Sequence, residues 1–592
     1  MSIIVQKFGG TSVADTEKIL SAARKAIRTQ QQGHQVVMVV SAMGKNTDLL
    51  VGLAGEINDK PPAREMDMLL STGEQVSVAL MAMAIDSLGY KGVSLTGAQI
   101  GIKTDSIHTR ARIRSITTER MQKLLDDGNI VIAAGFQGID EDFNITTLGR
   151  GGSDTTAVAL AAVLGAQACE IYTDVDGVYT TDPRLLPEAR RVKRISYDEM
   201  LELASLGASV MHNRSIEFAK KYDVPIHVRS SFSDGPGSFI VASSESETQA
   251  VCGAAMTKDE ARVSVLGVPD RPGVSLEIFS KIASKNVTVD MIVQNVGENG
   301  RADISFTVPR NELDVTLQAL NESAEEIGAE SIEHDDNVSK ISVVGVGMAD
   351  QTGVADKMFS ALAKTGINIH MITTSEIKIS VLVERDKSQE ALRAVHATFG
   401  LDEEPADITD NAPFTPSKAD AADVVTGLRG VDMEQLIIDD IALDVTQARV
   451  TISGVPDTPG VAAEVFDQVA AAGIFVDMIV QSFHGSKESA TLSFTVPKTE
   501  LDKSVDVANT LAKKFSCKEV TSCRDVAKLS VSGVGLRSHT GVAIRMFDSL
   551  SAQDINVQMI NTSEVRVNVI VDGEKGEQAL ESLQQAFGDA LR

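Results

Sequence analysis

Two glycine-bearing segments of this chain carry the groups best suited to holding a phosphate or a carboxylate. Lys7-Phe8-Gly9-Gly10-Thr11-Ser12 directly follows the apolar run Ile3-Ile4-Val5 and Gln6. Adjacent glycines let backbone N–H groups approach an anion with no Cβ in the way, Lys7 adds a mobile positive charge, and Thr11 and Ser12 add hydroxyl donors at an expected helix start. The second segment, Leu148-Gly149-Arg150-Gly151-Gly152-Ser153-Asp154-Thr155-Thr156, precedes an Ala-rich stretch over 157–164 that reads as a helix. Ser153 or Asp154 can cap that helix, its N-terminus carries positive partial charge, and the planar fork of Arg150 suits a carboxylate or phosphate. Neither a Walker A pattern nor a G-x-G-x-x-G fingerprint occurs, so neither a P-loop nor a Rossmann nucleotide site is supported.

The elements that must position these groups are legible as short continuous apolar runs at 3–5, 36–40, 130–134, 169–173 and 226–228, separated by longer amphipathic stretches. Such alternation predicts an α/β domain, a mostly parallel sheet buried on both faces and sandwiched by helices. Each run ends in small or polar residues: Ser41-Ala42-Met43-Gly44, Gly135-Phe136 and Thr173-Asp174-Val175-Asp176-Gly177. In open α/β sheets ligands bind beyond the carboxyl ends of the strands, so these loops are expected to meet at one crevice.

With 592 residues, three to five domains are expected. The 55 Lys and Arg against 82 Asp and Glu give a net charge of −27, which argues against nucleic acid or an anionic membrane as partner and favours small ligands. The run Arg190-Arg191-Val192-Lys193-Arg194 is accordingly expected to be a solvated face. Cys169, Cys252, Cys517 and Cys523 match no zinc or redox spacing, so a reduced setting is expected. No uninterrupted apolar run approaches the ~20 residues of a membrane helix, and the first strand starts at once, so no leader and a cytoplasmic location are expected.

Five ordered motifs then make a specific resemblance: Lys7 to Ser12, Ser41 to Gly44, Ser71-Thr72-Gly73-Glu74, Gly149 to Asp154, and Tyr172 to Pro183. Together they resemble aspartokinase, the aspartate branch of the amino-acid kinases, over residues 1–240. The resemblance implies MgATP bound at the strand ends and transfer of its γ-phosphate to the β-carboxylate of L-aspartate, giving 4-phospho-L-aspartate, the first step towards lysine, threonine and methionine. It implies Lys7 and Asp154 as catalytic, and ATP contacts at Lys7, Phe8, Gly9, Gly10, Ser41, Ser153, Thr173, Asp174, Tyr179, Thr180, Thr181, Asp182, Pro183 and Arg184. Aspartate would be held by Ser41, Thr47, Glu74, Arg150, Gly151, Gly152 and Ser153, with Arg150 facing its α-carboxylate and Glu74 its α-ammonium. Mg2+ would be carried with the nucleotide on protein ligands the motifs leave unassigned. From the residues alone, Ser71-Thr72-Gly73-Glu74 also reads as a helix start with an acidic first turn. Many relatives carry a lysine where this chain has Ser209, and His212 beside it reads as a packed or capping histidine.

Beyond residue 250 the chain repeats itself. Arg262 to Val274 recurs as Arg449 to Val461, 187 residues later, and Val289 to Gln294 as Val476 to Gln481. A second, more distant unit follows in each copy, with Ile372-Thr373-Thr374-Ser375-Glu376 returning as Ile560-Asn561-Thr562-Ser563-Glu564. Each of the four units reads as ferredoxin-like βαββαβ. They resemble ACT domains, which implies feedback control, with lysine and threonine as effectors. Allosteric contacts are expected at Asp270, Gly273, Val274, Gln294, Ile372 and Thr373, and at Asp457, Gly460, Val461, Gln481, Ile560 and Asn561. Asp270 and Asp457 precede glycine turns that open helices, able to hold both charges of a zwitterion, although the same turn serves equally as a plain helix start.

The expected partition is a catalytic domain at 1–240, ACT units at 250–335, 336–400, 437–524 and 525–592, and a linker at 401–436 whose Pro-containing part, 401–423, reads as mobile or extended. Ile437 to Ala442 aligns with Ala250 to Ala255, and the resemblance implies that this strand joins a later unit than the one it precedes. A homodimer is expected. The competing reading is an amino-acid-sensing regulator with an inactive kinase domain.

Overall fold

Alternate residues of the central strands enter two different cores: Val36, Met38 and Val40 one, Val37 and Val39 the other. Ile130, Ile132 and Ala134 divide from Val131 and Ala133 in the same way. A strand alternates its side chains between faces, so apolar residues at every position require cover on both sides. In the computed structural model, the helices Thr16–Gln31 and Ala63–Ser87 cover one face, and Gly152–Val163, Tyr197–Ser205 and Asn213–Lys221 the other. The structure describes all residues except 208–209, 247–248, 297–299, 349–350, 406–431, 485–488, 537–540 and 592.

The sheet runs in the order 194–196, 238–241, 226–230, 168–173, 3–8, 35–40, 130–134, 92–95. All neighbours are parallel except 226–230 with 238–241. All five apolar runs read from the sequence are adjacent in it, and burying each of their Val or Ile side chains is worth about 1.5–3 kcal/mol.

Ala63–Ser87 passes the length and composition test for a membrane-crossing helix, although polar residues such as Asp67 and Glu74 interrupt its apolar run. Half of its apolar window is buried in the protein, and Asp67, Ser71, Glu74 and Ser77 all lie on buried positions. One expectation is corrected here: the basic run at 190–194 is not a solvated face. It forms two short strands, with Arg190 paired to Glu245 at 2.6 Å and Arg194 donating to the Ser244 carbonyl.

In the C-terminal half, the strand Gly253–Pro269 serves two units. Its start pairs with 340–344 of the second unit and its end with 301–309 of the first. In the second copy Ile437–Asp444 pairs with Val526–Val534 of the fourth unit, while Gln447–Pro456 pairs with Ser489–Pro497 of the third. The strand before each copy therefore completes the later sheet.

The first and second units are joined by their shared strands Gly253–Pro269 and Ser331–Val344, whereas the helix-covered apolar cores are shared across the duplication. Ile372 and Thr373 of the second unit pair in register with Gln481 and Val480 of the third. Phe359 meets Phe466 between those same units with centroids 5.5 Å apart, and Phe279 meets Phe547 between the first and fourth at 5.9 Å. Each of these pairings shares one apolar core. Within the expected linker, Leu401 is fully buried in the core of the second and third units, which corrects the reading of that position as mobile. Residues 406–431 lie outside the described residues.

Candidate active site and effector sites

Lys7 sits one residue from the carboxyl end of the strand Ile3–Phe8, and its Nζ lies 2.6 Å from Oδ1 of Asp154 in the first turn of Gly152–Val163. The two glycine segments singled out in the sequence thus meet, and both side chains are largely buried. Gly10 is required by a close approach, since a Cβ there would stand 2.8 Å from the Ala42 carbonyl oxygen. The Gly44 N–H donates to Gly10 O at 3.0 Å, and the Ser41 N–H to Phe8 O at 3.1 Å, which locks the first loop onto the second strand's exit. Phe8 is buried and stacked on Tyr172, so only its backbone faces this turn. The expectation for Ser12 is corrected: its buried hydroxyl bonds Ser231 Oγ at 2.5 Å. The segment after Gly9 is a short 3-10 turn, Gly10–Val13, and the long helix begins only after Asp15, which caps it.

Arg150 lies between two left-handed glycines, Gly149 at φ 78° and Gly151 at φ 71°, and is exposed. A Cβ on Gly151 would stand 2.3 Å from Cβ of His212. His212 caps Asn213–Lys221 by accepting from the Arg214 N–H, and burial together with Arg214 lowers its basicity, in line with a packed, capping role. Ser153 is buried against Gly135. Ser209 lies outside the described residues.

Glu74 is not at a helix start; it lies midway along Ala63–Ser87. Its Oε1 accepts from the Ala42 N–H at 3.1 Å, while its buried Oε2 has no hydrogen-bond partner. Burial raises this carboxyl from 4.5 to about 7. An unpaired buried acceptor beside the Ser41–Gly44 turn is a ready site for an ammonium. Thr47 is half-buried in the first turn of Asn46–Ile57.

The remaining expected nucleotide residues follow the strand Ala168–Thr173. Thr173 donates to Asp174 at 3.2 Å and the Tyr179 hydroxyl to Asp176 at 2.8 Å. Arg184 forks back onto Asp182 at 2.7–3.1 Å, in the turn after Pro183. Thr180 is fully buried, bonded to His396 Nε2 and accepting from the Arg190 N–H, so its hydroxyl is committed to the junction with the second C-terminal unit; Thr181 is buried beside it.

The expected effector residues form two matching sites, each shared across the duplication. Asp270 accepts from Asn556 at 2.6 Å, and Gln294 donates to the Val557 carbonyl and accepts from Ser275. Likewise Asp457 accepts from Asn368 at 2.8 Å, and Gln481 donates to the Ile369 carbonyl at 3.0 Å. Gly273 and Gly460 open the adjoining helices with φ of 92° and 93°, with Val274 and Val461 buried behind them. Ile372 and Thr373 lie in the ladder beside Gln481, and Ile560 is core. Asn561 is buried with neither side-chain polar atom bonded. The space lined by Asn368, Asp457, Gly460 and Gln481 is only about 10 Å³.

The sequence profile of the amino acid kinase family matches residues 2–230, and ACT domain profiles match 261–325, 341–399, 450–512 and 529–587. The aspartate kinase of Stutzerimonas stutzeri is 52% identical over 404 residues, 68% of this chain and 98% of its own length. The chain belongs to the aspartokinase family. It is an aspartate kinase with four ACT domains. The crystal structure of aspartate kinase from Synechocystis is 40% identical, covers 99% of this aspartokinase and 98% of its own chain, and superposes with a TM-score of 0.53. Aspartokinase III of E. coli in complex with aspartate and ADP is 25% identical over 67% of this chain and 99% of its own, with a TM-score of 0.56.

Two buried acids of this aspartokinase lie outside the sequence motifs. Asp67, fully buried, accepts from the Thr109 N–H and from Thr147 Oγ1 and contacts His108, which fixes the helix carrying Glu74 to the glycine loop's neighbours. Glu202 is fully buried at the junction with the ACT units, paired with Lys378 at 2.8 Å and accepting from the Glu564 N–H. An acid two helical turns ahead of Glu74, on the same face, was the available signal for Asp67; nothing local distinguishes Glu202.

Proposed function

We propose that this chain transfers the γ-phosphate of MgATP to the β-carboxylate of L-aspartate, with Lys7 neutralising charge on the transferring group and Asp154 orienting Lys7. The Lys7–Asp154 contact of 2.6 Å, at the strand end where two glycine loops meet, carries this reading. The acceptor carboxylate is already ionised at neutral pH, so no general base is required and catalysis rests on positioning and electrostatics. Arg150 pairs with the α-carboxylate and the free Glu74 oxygen with the α-ammonium, with Ser41, Thr47 and Ser153 alongside. The Thr173–Asp174 corner and the 179–184 loop serve the nucleotide. Mg2+ supplies charge neutralisation when bound. Among the described residues no three His, Cys, Asp or Glu side chains sit together to hold a metal, so most of its ligands would come from phosphates and water.

Lysine and threonine act at the Asp270 and Asp457 sites as feedback effectors of a cytoplasmic homodimer that begins the synthesis of lysine, threonine and methionine. The domain partition given above is part of this reading. Its support is chemical: each site sets an aspartate and a glutamine amide beside a helix start, and Asn368 or Asn556 now occupies the position an effector ammonium would take. The test is aspartate-dependent ADP release with no additive, lysine, threonine, or both. Turnover lowered by an amino acid is expected; turnover untouched by either would remove lysine and threonine as effectors. Asp270→Ala and Asp457→Ala are each expected to raise the half-inhibitory concentration of one effector about tenfold, the worth of one charge-assisted bond. Unchanged inhibition in both variants would remove these sites from the proposal.

A further inference from the structure

The segment that precedes the second ACT copy is fastened to the catalytic domain beside the glycine loop. Met433 is 1% exposed within the catalytic core, its N–H donates to the Arg114 carbonyl, and its own carbonyl accepts from the Tyr222 hydroxyl at 2.8 Å. Glu434 then meets Arg214 side-on, with Oε2 2.6 Å from Nε and Oε1 2.7 Å from Nη2. The same Oε1 accepts from the Ile113 N–H. Arg214 spends two more donors on the Leu148 carbonyl at 2.5 Å and the Ala111 carbonyl at 2.6 Å. Leu148 is the residue from which the Gly149-Arg150-Gly151 turn departs.

This arrangement answers two physical problems. An arginine in the first turn of Asn213–Lys221 opposes the helix dipole, and Glu434 offsets that repulsion with a two-point ion pair. A loop hinged on two left-handed glycines has many accessible conformations, and a guanidinium bound to the carbonyl before the first glycine removes some of them. Both side chains are nearly buried, so solvent competes little with these bonds. Glu434 and Arg150 also line one cavity, of about 280 Å³.

We propose that Glu434 and Arg214 are positioning residues for aspartate binding, holding the glycine loop so that Arg150 meets the substrate. Three residues after Glu434 the chain enters Ile437–Asp444, which is hydrogen-bonded into the fourth ACT sheet. The loop that presents Arg150 is thereby tied to the sensing half by the chain's own segment between the two repeats. The inference rests on Arg150 binding aspartate, as proposed above.

Glu434→Gln keeps shape and removes charge. Its KM for aspartate is expected to rise about tenfold, with KM for MgATP within about twofold of the parent, because only the loop carrying Arg150 is released. Glu434→Asp, which restores the charge at shorter reach, is expected to recover part of the loss. If Glu434→Gln fails to fold, Arg214→Lys, which keeps the charge but loses the fork, takes its place with the same expectation. An aspartate KM within about twofold of the parent, or an equal rise for both substrates, would overturn the proposal. Arg150→Ala, measured alongside, separates the two ideas: a raised aspartate KM there with none in Glu434→Gln sinks the positioning role alone, whereas no change in Arg150→Ala sinks the substrate role of Arg150 itself.

Discussion

Lys7→Ala is expected to lower kcat by about 10³-fold, ~4 kcal/mol, while both substrates still bind. Phosphoryl transfer spreads charge over the oxygens of the moving group, and a cation fixed beside them acts mainly in the transition state. Lys7 is held for that task by Asp154 at 2.6 Å and by the narrow loop at Gly9, where a Cβ would stand 3.4 Å from Lys7 Nζ. Removing Lys7 also strands the buried carboxylate of Asp154, at a cost to stability of about 3–5 kcal/mol. Lost activity could therefore be confused with lost fold. The double variant Lys7→Met with Asp154→Asn removes both charges and is expected to recover most of the thermal stability and none of the turnover. Single-turnover kinetics beside thermal melts make the comparison. Turnover within tenfold of the parent in a folded Lys7→Ala enzyme would end its assignment.

Local residue patterns disclosed the sheet and the meeting of its strand-end loops because both follow from short-range rules, whereas the roles of Lys7 and Asp154 came only from the family resemblance. A run such as Val36 to Val40 has to be covered on two faces, and strand-end loops converge whatever the details of the helices. The partnership of the four ACT units obeys no such rule. The two copies present the same Asp, Gly and Gln, so pairing within a copy and pairing across copies satisfy identical local chemistry. Only the three-dimensional closure, with Ile372 against Gln481 and Phe279 against Phe547, distinguishes them. Ser12 shows the same limit on a smaller scale. A hydroxyl after two glycines suits a phosphate, and its capture by Ser231 depends on a strand more than 200 residues away. Glu434 was hidden for a different reason: an isolated acid in an acidic connector has no periodicity, and its value comes wholly from Arg214.

Glu74→Gln is expected to bind aspartate about 30- to 100-fold more weakly and yet to fold more stably at alkaline pH, a pairing of effects that a merely structural carboxyl would not give. The first effect is the loss of a charge-assisted bond between the unpaired Oε2 and the substrate ammonium, ~2–3 kcal/mol. The second follows from linkage. Burial raises the Glu74 carboxyl from 4.5 to about 7, so the folded enzyme holds a proton that the unfolded chain has released between those pH values. The protonated carboxyl's stabilising advantage is full below pH 4.5 and is lost as pH rises through about 7, where the fold must carry an ionised buried group at a cost on the order of 3 kcal/mol. Glutamine escapes that cost, so the variant's advantage in thermal midpoint should be absent at pH 4 and develop fully by pH 8. Substrate affinity runs the opposite way, because only ionised Glu74 attracts an ammonium. In the parent enzyme kcat/KM for aspartate should therefore fall about tenfold per pH unit below 7, while the glutamine variant keeps a flat profile through that range. His212 also titrates near the crevice, and it is unchanged in the variant, so a slope that survives in Glu74→Gln would belong to another group and would withdraw the ammonium from Glu74.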